Sequence, residues 1–141
     1  MGFFTAAEIA KIVQAIKQAE SRTSGEIRVH VENRAGDDVF DRAEEIFERL
    51  KMHQVKERNG VLIYLAVKDR KFVILGDSGI DRVVPKDFWA EIRDTMAGMF
   101  RKRQFVEGIC TGIGLAGEAL AHYFPHRRDD AAELPREIQE E

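Results

Sequence analysis

The chain has 141 residues with a net charge of −3, 44% hydrophobic and 33% charged side chains, which fits one globular domain and excludes a disordered chain. Its single cysteine, Cys110, cannot close an internal disulfide, and no apolar run approaches the roughly 20 residues of a membrane span. Residues 125–141 hold three Arg and six acidic side chains, leaving 19 of the 22 basic and 19 of the 25 acidic residues in a charge-balanced body, so a nucleic-acid partner is not expected.

The N-terminus has no basic stretch ahead of an apolar core, so no signal peptide is read and a soluble, cytoplasmic chain is expected. Thr5 and Glu8 form a capping-box pattern, and Ile9, Ile12, Val13 and Ile16 repeat at the spacing of a helix with one buried face. The polar stretch 21–25 ends it. Ile27, Val29 and Val31 then alternate with Arg28, His30 and Glu32, the period of a strand with one apolar and one polar, solvated face. A loop with Gly36, Asp37 and Asp38 leads to a second amphipathic helix over 39–52, carried by Ala43, Ile46, Phe47 and Leu50.

Residues 61–67 are uninterrupted apolar, as in a strand buried on both faces, and 72–75 repeat the pattern after a four-residue polar turn, so the two are expected to form a hairpin. The loop GDSGID (76–81) follows. Pro85 is placed to open a helix bearing Trp89, Ile92, Met96 and Phe100, and a last helix over 105–123 buries Phe105, Ile109, Ile113, Ala116 and Leu120. The order α-β-α-β-β-α-α predicts an α/β fold, a three-layer αβα sandwich with a small mixed sheet and helices on both faces. The domain is expected over 1–124, with a charged, mobile tail over 125–141.

Several motifs fail on context. GDSG matches the surroundings of a protease nucleophile, but those enzymes place it, with an upstream His and Asp, between two β-barrels, whereas this chain is short and helix-rich and Ile80 breaks the pattern. GIGLAG (112–117) matches a dinucleotide fingerprint yet lies inside the last helix, where small residues allow close packing. His30 and Glu32 share a strand face but read as solvated polar groups, and Cys110 reads as a core thiol. The acidic loops keep two readings. Asp37 and Asp38 follow the first strand and Asp77 and Asp81 the last, so the loops are expected to meet at one sheet edge as an oxygen-rich site for Ca²⁺, or Mg²⁺, without EF-hand spacing. The competing reading is of solvated turns and helix N-caps.

The segments SGEIRVHVE (24–32), NGVLIYLAVKDRKFVILGDSGID (59–81), VPKDFW (84–89) and the F-x-x-G-I-x-x-G-I spacing of 105–113 together resemble the TPM domain family. The resemblance spans about residues 5–124 and implies the αβα sandwich, a divalent-cation site usually discussed as calcium, and, for some plant members, acid phosphatase activity. The short form without membrane helix is the one it is similar to. Many relatives have Asp before Asn-Gly where this chain has Arg58, and an aromatic residue where it has Asp77. The expectation is a binding or accessory module with a protein partner, the alternative a metal-assisted phosphomonoesterase using an aspartate as base or nucleophile.

Overall fold

The computed structural model describes residues 2–126 together with the backbone of residues 139 and 140. Helix α1 (Ala6–Glu20) begins where expected: Glu8 N–H donates to the Thr5 hydroxyl at 3.1 Å and the Thr5 N–H donates to the Glu8 carboxylate at 2.9 Å, so two of the otherwise orphaned amide donors are satisfied. Strand β1 (Glu26–Glu32) follows, then α2 (Val39–Arg49), β2 (Gly60–Ala66), β3 (Lys71–Gly76), the single turn α3 (Ser78–Asp81), α4 (Phe88–Arg101) and α5 (Phe105–Tyr123). Helix α2 stops three residues short of the predicted end because Lys51 takes a left-handed conformation at φ 60°, and a short 3₁₀ turn, Met52–Gln54, carries the chain on.

β1 and β2 are parallel, joined across α2, and β2 returns as the antiparallel hairpin strand β3. The two-residue strand β4 (Gln139–Glu140) pairs parallel to β1 at His30 and Val31, giving the order β3-β2-β1-β4. β2 is thus central, and all seven of its residues are buried. Side-chain alternation assigns the layers. Ile27, Val29 and Val31 of β1 with Val61, Ile63 and Leu65 of β2 face α1, α4 and α5, while Leu62, Tyr64 and Ala66 face Ala43, Ile46 and Phe47 of α2. The expected αβα sandwich is therefore the observed fold.

Three details differ from expectation. The Arg28, His30 and Glu32 face of β1 is buried rather than solvated, each residue at most 6% exposed. Arg28 is held by Glu20 at 2.8 Å and Glu26 at 3.1 Å, and Glu32 accepts two hydrogen bonds from Arg42 of α2 and one from the Tyr64 hydroxyl. Polar alternation marks a two-faced strand, but paired charges can occupy an inner face as well as solvent can. Second, the chain is still tied down at 125–126, where Pro125 bridges Thr23 and the His126 N–H donates to the Arg22 carbonyl at 3.2 Å. The rest of the expected tail, apart from β4, lies outside the described residues. Third, α4 opens at Phe88 after Asp87 rather than at Pro85.

The glycines of α5 behave as their spacing suggests. A Cβ on Gly112 would stand 2.4 Å from Met96 Sδ, and one on Gly117 would stand 2.8 Å from Ala19 Cβ, so these positions set how closely α4 and α1 approach α5. Cys110 is half-buried on this helix, its thiol pushed up chiefly by burial, as suits a packed group more than a reactive one. Among the described residues no helix is long and apolar enough to cross a membrane.

Candidate functional site

The strand register decides which acidic loops can meet. Glu32 pairs with Ala66, and Ala66 with Lys71, so the loop bearing Asp37 and Asp38 leaves the sheet at the end where the hairpin turns. Gly76 pairs with Val61, and Gly60 with Glu26, so Asp77 and Asp81 emerge at the opposite end. Seven residues of β1 separate the two, about 20 Å at roughly 3.3 Å per residue. The four aspartates do not assemble into one site, and the expectation that their loops share an edge is corrected. A parallel crossover followed by a hairpin must return the chain to the end from which β1 started.

Each aspartate has its own local role. Asp38 caps α2, accepting from the Phe40 N–H at 2.9 Å and the Asp41 N–H at 3.0 Å, while Asp37 is exposed beside it. Asp81 is exposed and accepts from Trp89 Nε1 at 2.9 Å. Among the described residues no group of three or more His, Cys, Asp or Glu is arranged to hold a metal.

Asp77 is different, because it is only 6% exposed and densely engaged. Arg58 grips it with both faces of its fork, Nε donating to Oδ2 at 2.6 Å and Nη2 to Oδ1 at 2.8 Å. Oδ1 also accepts from the Ser78 N–H at 2.7 Å, which makes Asp77 the N-cap of α3, and His53 Nδ1 lies 3.5 Å away. Burial pulls the Asp77 pKa upward, but the Arg58 hydrogen bonds, the Ser78 amide and the nearby positive charge outweigh it and hold the carboxyl below its usual range. The same pair raises Arg58, whose side chain is about half exposed (47%).

The backbone is built around this pair. Arg58 itself has φ 54°, a left-handed conformation uncommon for Arg, and its carbonyl accepts from the Gly79 N–H at 2.7 Å. Gly79 is required there, since a Cβ would stand 2.1 Å from the Glu57 carbonyl oxygen and 2.6 Å from that of Arg58. The Asp77 N–H donates to the Gly60 carbonyl at 2.9 Å, tying the loop to the start of β2. The sequence points to position 58 through its departure from the related pattern, but His53 gives no signal because it reaches the site through the fold of the 3₁₀ turn.

Residues 1–119 match the family described as TPM domain. The BA42 protein of the psychrophilic bacterium Bizionia argentinensis, a solution structure, is 51% identical over 99% of this chain and 96% of its own, with a TM-score of 0.92. The N-terminal domains of the Corynebacterium glutamicum protein cg2496 and of a P. gingivalis protein share the fold at TM-scores of 0.66 each, with 13% and 21% identity. The first alignment covers 84% of this chain and 74% of that one, the second 89% and 84%. No curated protein matches.

Proposed function

The chain belongs to the TPM domain family, and from that premise we propose that it is a binding module in which Arg58 fills, at Asp77, the place expected of a divalent cation. One observation carries this reading: both Asp77 oxygens are already bound by a guanidinium fork. A hard cation needs several oxygen donors with their lone pairs free, and here the buried carboxylate is committed, Asp81 and Asp38 are engaged elsewhere, and Asp37 lies at the opposite end of the sheet. For the same reason Asp77 is poorly placed as the base or nucleophile of phosphoester hydrolysis.

The test is a thermal melt in EDTA and again in millimolar Ca²⁺ or Mg²⁺. A cation at a hundred times its Kd would add about 2.7 kcal/mol and lift Tm by several degrees, so the expected result is the same Tm in all three buffers. A Ca²⁺-dependent rise that disappears in Asp77→Ala would overturn the proposal. Hydrolysis of p-nitrophenyl phosphate is expected at background with or without metal, and activity abolished by Asp77→Ala would restore the phosphatase alternative. A protein partner at this end is expected to bind equally in EDTA and in Ca²⁺.

A further inference from the structure

At the other end of the sheet a cavity of about 640 Å³ opens between the β2–β3 turn and the connection from α4 to α5. Its wall is a run of phenylalanines in edge or stacked contact. Phe72 meets Phe100 at 4.9 Å between ring centroids, Phe100 meets Phe105 at 5.9 Å, and Phe105 meets Phe3 at 5.5 Å. Its rim is cationic, with Arg70 and Lys71 from the hairpin and Arg101 and Arg103 from the helical connection, and among the described residues no Asp or Glu lines it. Asp69, adjacent in sequence, is engaged by Arg34 at 2.9 Å and by the Ala35 N–H at 2.8 Å.

The volume falls within the range of small-molecule sites, and an aromatic wall lined at its edge by exposed Arg and Lys side chains has a clear complement. We propose that this cavity binds a small amphipathic anion: a linear or flat apolar body seated against Phe72, Phe100 and Phe105, with a terminal carboxylate or phosphate held by the rim. Charge complementarity selects the anion. In a body whose charges balance over residues 1–124, four cations gather around one apolar hollow with no carboxylate among its described lining residues. Concavity selects a free small molecule over a membrane surface, since three of the four rings are half-buried within the walls and only Phe3, at 48%, is exposed. The site lies at the far end of the sheet from Arg58 and Asp77 and does not depend on the reading given to them.

The test titrates the full chain with decanoate, decanol and 1-naphthyl phosphate by calorimetry, with amide chemical shifts to locate binding. Saturable one-site binding of decanoate or 1-naphthyl phosphate is expected, shifting amides at 65–72 and 97–105. Arg101→Gln combined with Arg103→Asn should weaken decanoate tenfold or more while changing decanol less than threefold. Asn is chosen at 103 because that residue has φ 60°. Ala97→Trp, filling the cavity from a half-buried position on α4, should abolish both. If that variant melts early, the double variant decides alone. Absence of saturable binding of either anion at millimolar concentration, unchanged decanoate affinity in the double variant, or binding only to phosphatidylglycerol vesicles and not to monomeric decanoate would each overturn the proposal.

Discussion

At position 58 the backbone has φ 54°, a conformation that Asp and Asn tolerate better than Arg, so the guanidinium is held there by what it touches. Replacing it by Asp relaxes the backbone and places two carboxylates face to face around the 77 position. Like charges at that distance repel, and a divalent cation would relieve them. Arg58→Asp is therefore expected to melt lower than the wild type in EDTA and to recover in millimolar Ca²⁺, a response absent from the parent chain. Calorimetry of both proteins with and without Ca²⁺ checks this, and a variant that ignores Ca²⁺ would show that the two side chains do not converge.

The Asp77 pKa gives a second expectation at the same scale. A carboxyl whose folded pKa is depressed contributes stability that is complete above its unfolded value, about 3.9, and drains away as pH falls toward the lower folded value. The wild type should therefore lose Tm between about pH 5 and pH 3 more steeply than Asp77→Asn, measured in the same buffers. Equal slopes would mean that the Arg58 contact does not distinguish the two protonation states.

Among the elements, the loop at 76–81 owes its shape to two glycines of different service. A Cβ at Gly76 would meet Trp89 at 2.3 Å, where a side chain can shift, whereas at Gly79 it would meet backbone carbonyls, which cannot move without breaking the start of β2. Gly79→Ala is expected to cost about 1–3 kcal/mol in urea unfolding, the usual range for overpacking, and to loosen the Arg58 and Asp77 contact. Elements of this kind divide sharply in how far the chain declares them. The capping box and Ile spacing of α1, the apolar runs of the hairpin and the small residues of α5 act locally, so they could be read directly. The solvated face assigned to Arg28, His30 and Glu32 could not, because its burial depends on Glu20, Arg42 and Tyr64 arriving from three other elements. The four-aspartate site failed for a topological reason that was already implicit: a hairpin after a parallel crossover reverses direction once more than the loops needed. Arg58 was noticeable only as an exception to a pattern, and the phenylalanines at 72, 100 and 105 looked like ordinary core until their neighbouring cations were placed.

For the molecule as a whole, β2 is the structural reference, hydrogen-bonded on one side to β1 and on the other to β3, with both faces covered by helices. Its amides should exchange only through global unfolding. In native-state hydrogen exchange, residues 61–65 are expected to show the highest protection, and those of α3, a single turn at the surface, the lowest among the helices. Faster exchange in β2 than in α1 would place the cooperative core elsewhere.

The packing of α1 on α5 also has a meaning for synthesis. Ile12, Ile16 and Ala19 lie in the same core as Ile109, Ile113 and Leu120, and the Thr23 hydroxyl donates to the Leu120 carbonyl at 3.0 Å, across 97 residues of sequence. A nascent chain emerges from its N-terminus, so the part of α1 that packs on α5 stays uncovered until α5 has left the ribosome, although β1 and β2 can cover the rest earlier. The helical layer on that face closes last. Until α5 arrives, the face of α1, β1 and β2 that it covers remains an exposed apolar layer, the kind of transient surface through which nascent chains aggregate.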